Sequence, residues 1–551
     1  MTHAQAASFD PCDLTAAKEA YELALAIVRG GAVRLRKVSD GGRRLDEHQV
    51  LAYDLAHGSA AVTIAAAALR YGARGPLEAR LAVAFVADVV GDLVSRTAGR
   101  ETEWGTRPGW HGAVSNLLDT GRDPALLASL AEMPGPNHLG SDFELVQDSF
   151  RRFAAEQIAP RAEHIHRANA DIDEEIIEGL AAMGGFGLSV PEVYGGFAAG
   201  GEHDYLAMVV ATEELSRASL GAGGSLVTRP EILTRAILNG GTEEQKSRLL
   251  GRIATGEMMV AVAVTEPDFG SDVANLSVTA TPAEGGWLLN GVKTWCTFAA
   301  RAEAIMLLAR TDRDRSKAHR GLSLFVIEKP RCDSRGFSIL QRETDGERPP
   351  GLPDGRLEGH PIDTIGYRGM HSYELSLENF WIPAANLIGE KQGEGRGFYL
   401  QMAGFENGRL QTAARAIGVM QAGYEAALSY ARQRSVFGRP LIDYQLTRAK
   451  LGRMAAIIQA SRQFAYEVAV LMAGGQGSME ASMVKAYVCR AAEWVSREAM
   501  QIHGGMGYAE EFLVSRLFVD SRVLSIFEGA DETLCLKVIA RRLVEDAATG
   551  T

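Results

Sequence analysis

The stretch MMVAVAVTEP, residues 258–267, marks the point at which a helical sequence pattern changes to a pattern of short strands. Further β-rich runs such as AEAIMLLART and GLSLFVIEK follow, separated by turns that contain Gly, Asp or Pro. The sequence PAEGGW lies between two alternating runs and predicts a hairpin connection. We therefore predict a β-domain over residues 258–394.

Long helical patterns lie on both sides of this β-domain. They occupy residues 141–257, as in DFELVQDSFRRFAAEQIAPRAEHIHR, and residues 395–551, as in LIDYQLTRAKLGRMAAIIQASRQFAYEVAVLMA. Residues 1–140 are rich in Ala and Leu, are also helical in pattern, and end at the breaker-rich linker EMPGPNHLGSD. The order predicts an α+β fold: a helical domain, a β-domain and a C-terminal helical bundle, preceded by an extra N-terminal helical domain.

Composition and charge exclude several classes of function. The chain of 551 residues carries 57 Lys and Arg against 69 Asp and Glu, a net charge of −12, without a basic stripe, which argues against nucleic acid or an anionic membrane as partner. Its five cysteines are far apart and lack CxxC spacing, which argues against a disulfide framework or a metal site. The N-terminus lacks the features of a signal peptide, and the apolar run at 81–94 is too short for a bilayer span. We expect a soluble cytoplasmic protein in a reducing compartment.

Two motifs in the β-domain are typical of ligand contacts. VTEPDFGSD, residues 264–272, ends a strand in a turn whose amides and hydroxyls can hold a flat polar ligand, although a plain turn is the commoner case. NGVKTWCTFA, residues 290–299, places Trp295 and Thr297 two apart, so we predict both on one face of a strand. Such a face offers an aromatic platform beside a hydroxyl donor, or simply an indole packed in a sheet core.

Three further motifs lie in the C-terminal helices. RQRSVFGRPLIDYQ, residues 432–445, sets an arginine and a phenylalanine beside a glycine break and ends on Gln445 at the predicted start of a helix. QIHGGMGYAEEF, residues 501–512, ends a helix in a paired-glycine turn, and it is not a dinucleotide fingerprint because no strand precedes it. SIFEGADETL, residues 525–534, places Glu528 between a hydrophobic run and a glycine, either as a cap on a surface turn or as a base against apolar walls.

Taken in order, these five motifs resemble the acyl-CoA dehydrogenase family over residues 141–545 or so. The resemblance implies FAD bound between the β-domain and the C-terminal helices, with acyl-CoA on the other face of the flavin. It also implies at least a homodimer, or a dimer of dimers, because some flavin contacts come from the facing subunit. The implied FAD contacts are Val262, Val264, Thr265, Ser271, Trp295 and Thr297 and, for the flavin of the facing subunit, Arg434, Phe437, Gln445, Gln501, Gly504 and Gly505.

The same resemblance implies that Glu528 is the catalytic base. It would remove the α-proton of the thioester while the β-hydrogen leaves as hydride to flavin N5. The implied substrate contacts are Ser271, Glu406, Arg409 and Gly529. Some branches of the family carry the base near Arg409, but the matching position here is Gly408. Electrons would then pass to an electron-transferring flavoprotein.

The extra N-terminal domain and an insertion at about 343–363 resemble the branch of the family that oxidises (2S)-methylsuccinyl-CoA to mesaconyl-CoA in the ethylmalonyl-CoA pathway. A buried second carboxylate in such a substrate needs a cationic partner. The candidates are Arg348, Arg356, His360 and Arg368, against the alternative that they lie in a solvated charged loop. Three alternatives stay open: another short or branched acyl-CoA, an oxygen-using acyl-CoA oxidase, and a non-catalytic flavin-fold binding protein.

Overall fold

The computed structural model describes residues 14–343 and 348–549, and these form two compact units. One unit contains Met1–Glu144 together with Thr412–Thr551, and the other contains Leu145–Gln411. The first unit is helical, whereas the second combines helices with an eight-stranded sheet. The predicted α+β fold is therefore confirmed, while the predicted division into four domains stays a prediction.

The first unit is built from helices at both ends of the chain. From its N-terminal part come α1 Thr15–Val38, α2 Gln49–Gly72, α3 Pro76–Thr97, α4 Glu101–Trp104, α5 Ser115–Gly121 and α6 Pro124–Ser129. From its C-terminal part come the later portion of α14 Gly397–Gln433, α15 Gln445–Ala473, α16 Ser478–His503, α17 Leu513–Leu524, α18 Asp531–Thr533 and α19 Ala540–Thr549, with the short hairpin β9 Ser435–Val436 and β10 Arg439–Pro440 after α14.

Helix α2 packs against helices from both ends of the chain. It contacts α1 and α3 on one side and α15 and α16 on the other, and most of its residues are buried. The stretch Leu45–Gly72 is long and apolar enough to cross a membrane by length and composition, but 72% of its most apolar window is buried inside the protein. The apolar composition of this stretch is therefore that of a helix buried in the core of a large domain.

The second unit begins with helices and continues into the sheet. Its helices are α7 Ser141–Phe153, α8 Ala159–Ala168, α9 Glu174–Ala182, α10 Glu202–Ala218, α11 Thr228–Gly240, α12 Glu243–Ala254, α13 Glu390–Gly393 and the first part of α14. Its strands are β1 Val260–Ala263, β2 Thr279–Ala283, β3 Gly286–Lys293, β4 Ala304–Arg310, β5 Leu322–Glu328, β6 Phe337–Gln341, β7 Gly355–Ile362 and β8 Ser372–Pro383.

The sheet runs in the order β1-β4-β2-β3-β8-β7-β6, with β5 paired to β4. Strands β2 and β3 pair antiparallel through a connection at Glu284 and Gly285, so the predicted PAEGGW hairpin is confirmed. Strand β4 is buried along its whole length and packs with helices α11 and α12 in a common apolar core. This core includes Val260 at the start of β1 and Val264 directly after its end, where the VTEPDFGSD motif begins.

Candidate active site

A buried ion pair holds the turn that follows β1. The carboxylate of Glu266 accepts hydrogen bonds from Lys293 Nζ at 2.8 Å and from the backbone N–H groups of Ser277 and Val278 at 2.7 and 2.9 Å. Burial alone would raise the pKa of Glu266, but the Lys293 ammonium and the Ser277 hydrogen bonds hold that pKa below its ordinary value. Because Lys293 ends β3, the pair joins the VTEPDFGSD turn to the next motif.

The segment after Lys293 corrects one prediction. Trp295 and Thr297 do not share a strand face, because β3 ends at Lys293 and Trp295 has φ +58°, which breaks the extended conformation. The indole is 55% exposed, whereas Thr297 is buried, with its hydroxyl 3.0 Å from that of Ser372. The exposed aromatic ring is therefore present, but Trp295 carries it in a left-handed backbone conformation after the end of β3.

The two β-domain motifs lie side by side. The backbone N–H of Thr294 donates to the carbonyl of Thr265 at 2.9 Å, and Lys293 Nζ donates to the carbonyl of Val264 at 2.8 Å. Ser271 is exposed, and Val262 and Thr265 are partly buried. This corner of the sheet thus combines an exposed indole with backbone and hydroxyl groups, which suits a flat polar ligand.

The predicted substrate residues Glu406 and Arg409 lie in the first part of α14, within the second unit. Between them, Asn407 donates through its side-chain amide to the carboxyl group of Glu231 on α11. Burial raises the pKa of Glu231, against the opposing effect of the nearby Arg235 charge.

Arg235 is a residue that the sequence patterns did not single out. Its nearest approach to Glu231 is 3.7 Å, and its guanidinium lies 4.4 Å from the centroid of the Tyr205 ring. Among the described residues, neither Nε nor Nη2 of Arg235 has a hydrogen-bond partner, although both atoms are buried. Buried guanidinium nitrogens without hydrogen-bond acceptors among the described residues are a costly arrangement that an anionic ligand would relieve. A lone arginine inside a helix carries no motif, so only burial and partners could reveal it.

The cations proposed from the 343–363 insertion are engaged in other contacts. The Arg348 guanidinium donates to the backbone carbonyls of Gln341, Leu352 and Pro353, which fixes its own loop. Arg356 pairs with Glu358 on the surface of β7, where His360 is also exposed. Residues 344–347 of the insertion lie outside the described residues.

Arg368, the fourth candidate, likewise has structural partners. Its guanidinium donates to the carbonyls of Thr364 at 3.1 Å and His166 at 2.9 Å. These bonds anchor the turn before β8 to helix α8, so Arg368 is better suited to holding the fold than to binding a ligand.

The predicted residues for the flavin of a facing subunit lie on the surface of the first unit. Phe437 stands at the tip of the β9–β10 hairpin with φ +47° and 97% of its surface exposed. At Gly504 and Gly505, which follow the end of α16, an added Cβ would meet nothing within 4 Å. The remaining three residues, Arg434, Gln445 and Gln501, are also exposed, and Gln445 begins α15 as predicted.

Glu528 lies in the loop between α17 and α18. It is half-buried, has φ +54° and is followed by Gly529 at φ +99°, so two successive residues are left-handed. Its Oε2 atom is buried and has no hydrogen-bond partner among the described residues. Buried carboxylate oxygens normally have partners, so this atom is a candidate for a proton acceptor. The neighbouring Ile526 is 53% exposed, so apolar walls around Glu528 are incomplete within this unit.

Comparisons with known proteins agree on one family. The model of the "Acyl-CoA dehydrogenase, N-terminal domain" matches residues 141–257. The models of the middle and C-terminal domains of the same family match residues 261–353 and 395–544. A (2S)-methylsuccinyl-CoA dehydrogenase of Cereibacter sphaeroides is 41% identical over 444 residues, which cover 79% of this chain and 77% of that protein.

Solved structures give the same result. A glutaryl-coenzyme A dehydrogenase in complex with glutaryl-CoA aligns with a TM-score of 0.65 and 30% identity, over 73% of this chain and 95% of that one. A glutaryl-CoA dehydrogenase from Mycobacterium smegmatis, in complex with FADH2, aligns with a TM-score of 0.62 and 24% identity, over 75% of this chain and 96% of that one.

Proposed function

Because this chain belongs to the acyl-CoA dehydrogenase family, we propose that it oxidises (2S)-methylsuccinyl-CoA to mesaconyl-CoA with Glu528 as the base. At the coarser level, the chain is an oxidoreductase that acts on acyl-CoA and uses FAD. The observation that carries the assignment of the base is the buried Oε2 atom of Glu528, which has no hydrogen-bond partner in the described part of the chain.

The residues present fit a bound FAD. The exposed indole of Trp295 and the adjoining hydroxyl and backbone groups of the VTEPDFGSD turn would hold it within the subunit. Phe437 and the open backbone at Gly504 and Gly505 would reach the cofactor of a facing subunit, in a homodimer or a dimer of dimers. The chemistry that FAD supplies when bound is acceptance of a hydride from the substrate's β-carbon.

Glu528 would take the α-proton of the thioester on Oε2. A proton acceptor should have no competing donor, and no described residue donates to this oxygen. The left-handed conformation of Glu528 and Gly529 sets the orientation of the carboxylate in its loop. Such conformations cluster at functional sites. Glu406, Arg409, Ser271 and Gly529 are proposed as the surrounding substrate contacts.

Arg235 is our candidate for the second carboxylate of the substrate. Its two unsatisfied nitrogens would donate to a carboxylate in the bidentate geometry that guanidinium favours. Asn407 connects this arginine, through Glu231, to the part of α14 that carries Glu406 and Arg409. A monocarboxylic acyl-CoA would leave Nε and Nη2 of Arg235 without a hydrogen-bond acceptor among the described residues, so the arrangement favours a dicarboxylic substrate.

We further propose that electrons leave to an electron-transferring flavoprotein, and that the enzyme works in the cytoplasm as part of the ethylmalonyl-CoA pathway. These assignments rest on the 41% identical relative and on the need of a reduced flavin for an acceptor.

The test is an anaerobic titration of the purified protein with (2S)-methylsuccinyl-CoA, followed by flavin absorbance. We expect stoichiometric bleaching in the wild type, and a reduction rate lower by about a hundredfold to ten-thousandfold in Glu528→Gln, which keeps its FAD. Arg235→Met should weaken binding of this substrate but leave binding of butyryl-CoA unchanged.

A different experimental result would contradict each part of the proposal. A wild-type rate in Glu528→Gln would exclude this residue as the base. Bleaching by butyryl-CoA but not by methylsuccinyl-CoA would overturn the substrate, and rapid hydrogen peroxide formation in air would favour an oxidase. If no acyl-CoA bleached the flavin, a non-catalytic binding protein would be the better description.

A further inference from the structure

A buried cluster of polar side chains joins helix α2 to the segment that carries Glu528. Tyr53 Oη donates to Asp531 Oδ2 at 2.5 Å, and His57 Nε2 lies 3.0 Å from the same oxygen. Cys535 Sγ lies 3.4 Å from His57 Nε2. Tyr53 and His57 are one helical turn apart, so both reach Asp531 from one face of α2. We propose that Tyr53 and His57 are positioning residues, which hold the Glu528 loop in its reactive conformation through Asp531.

The protonation states make the cluster a firm anchor. Burial would raise the pKa of Asp531, but the hydrogen bond from His57 and that from Tyr53 hold it below its ordinary value. Burial lowers the pKa of His57, so at neutral pH an ionised Asp531 faces a neutral imidazole. The proton of that imidazole must be on Nε2, because an ionised carboxylate can only accept. Two donors therefore converge on one charged oxygen, which gives hydrogen bonds stronger than those between neutral groups.

Asp531 in turn closes the loop that contains Glu528. Its backbone N–H donates to the carbonyl of Ser525 at 3.1 Å, which joins the two ends of the seven-residue segment 525–531. Lys485 Nζ donates to the Gly529 carbonyl at 2.5 Å inside the same segment. A left-handed glutamate is strained and persists only where the surroundings enforce this conformation. Asp531 is the point at which groups of the N-terminal helical region contact this segment, while Lys485 on α16 holds it at Gly529.

Tyr53 and His57 come from the N-terminal helical region, which supplies none of the proposed catalytic or cofactor residues. Helix α2 is itself tied to the C-terminal helices elsewhere, for example by Arg70 to Glu467. The adjacent α1 adds a hydrogen bond from Arg36 to the Val544 carbonyl at 3.1 Å. This inference rests on the proposed role of Glu528, and it gives the N-terminal region a part in the reaction: it sets the geometry of the base.

Binding of a metal ion is the alternative role for the same cluster. Ligand atoms of His57, Asp531 and Cys535 all lie within 4.8 Å of one another, and all three residues are buried. However, burial raises the pKa of the Cys535 thiol, which disfavours the thiolate that a metal needs. The contacts from Tyr53 and His57 also satisfy Oδ2 of Asp531 with hydrogen bonds, whereas its buried Oδ1 atom has no hydrogen-bond partner among the described residues.

The test compares His57→Leu, His57→Gln and Tyr53→Phe with the matched control Arg70→Met. The control breaks another contact between α2 and the C-terminal helices, one that does not involve the Glu528 loop. For each variant we would measure FAD content, the dissociation constant of substrate, and the single-turnover rate of flavin reduction by methylsuccinyl-CoA. We expect His57→Leu to retain FAD and affinity but to reduce its flavin about tenfold to a hundredfold more slowly, as misplacement of a base does.

His57→Gln keeps a donor and should recover most of the rate, Tyr53→Phe should show an intermediate loss, and Arg70→Met should match the wild type. Wild-type rates in both His57→Leu and Tyr53→Phe would overturn the inference while leaving the role of Glu528 intact. Equal losses in Arg70→Met would overturn it too, because docking of α2 as a whole would then be the cause. One metal ion per subunit, with inactivation by a chelator, would replace it with a metal site. A wild-type flavin that no acyl-CoA reduces would instead overturn the proposed function.

Discussion

At the scale of single residues, the Glu266–Lys293 pair offers the clearest test of what stabilises the corner of the sheet at which the two β-domain motifs meet. Lys293→Met would leave a buried carboxylate without its counter-charge, and removing one partner of a buried pair costs about 3–5 kcal/mol. Urea unfolding measures this loss. The matched control is Arg335→Met, whose pair with Asp333 has side chains 89% and 54% exposed, so its loss should be much smaller than that of Lys293→Met.

The same pair predicts a pH dependence. Because the folded-state pKa of Glu266 lies below its ordinary value, the pair stabilises the protein above the ordinary carboxyl pKa of about 4.3 and loses that effect as the pH falls through the lower folded value. In Lys293→Met this contribution to acid unfolding should disappear. Similar, small losses in the Lys293 and Arg335 variants would contradict a role for the pair.

Residues also differ in how far sequence can identify them. Glu528 could be proposed because its neighbours match a family motif, although its missing hydrogen-bond partner is visible only in three dimensions. Arg235 and His57 have no such motif. Their significance lies in their surroundings: two buried nitrogens of the arginine lack hydrogen-bond partners among the described residues, and the histidine contacts a carboxylate 474 positions away.

At the scale of elements, the β9–β10 hairpin exposes the apolar side chain of Phe437 and is the element best placed to contact a facing subunit. Burying a phenylalanine side chain is worth about 1.5–3 kcal/mol, so Phe437→Ser should weaken dimer association and FAD retention by tenfold or more if a facing subunit covers it. Sedimentation and flavin content after gel filtration measure both. Val193→Ser, which changes another strongly exposed apolar residue, is the control. Unchanged mass and flavin content in Phe437→Ser would show that the hairpin tip has neither role.

Elements show where sequence reasoning succeeds and where it fails. The hairpin between β2 and β3 and the start of α15 followed from local turn chemistry and helical periodicity. The placement of Trp295 and Thr297 on a strand failed because alternation in sequence gives no sign of a positive φ at a tryptophan. That conformation is held by contacts from elsewhere, such as the bond from Cys296 N–H to the Tyr373 carbonyl at 3.0 Å.

At the scale of the whole molecule, the N-terminal region is part of the packed core of its unit. A chain of residues 141–551 would lack α2 and α3, which lie against α15 and α16, and would expose their apolar faces to water. We expect such a chain to be poorly soluble and to bind the dye ANS strongly. Arg70→Met, which removes only a surface contact, should remain soluble and bind little dye. A soluble 141–551 chain with wild-type flavin reduction would contradict this expectation.

The division of the first unit between the two ends of the chain has a consequence for its biosynthesis. Residues 145–411 are translated between its two parts, and at roughly 5–20 residues per second this takes about ten seconds to a minute. Throughout that interval, helix α2 has left the ribosome while the helices that cover its far side have yet to be made. The nascent chain therefore presents a long apolar helix to the solvent, and the yield of folded protein should depend on chaperones that hold such segments until translation ends.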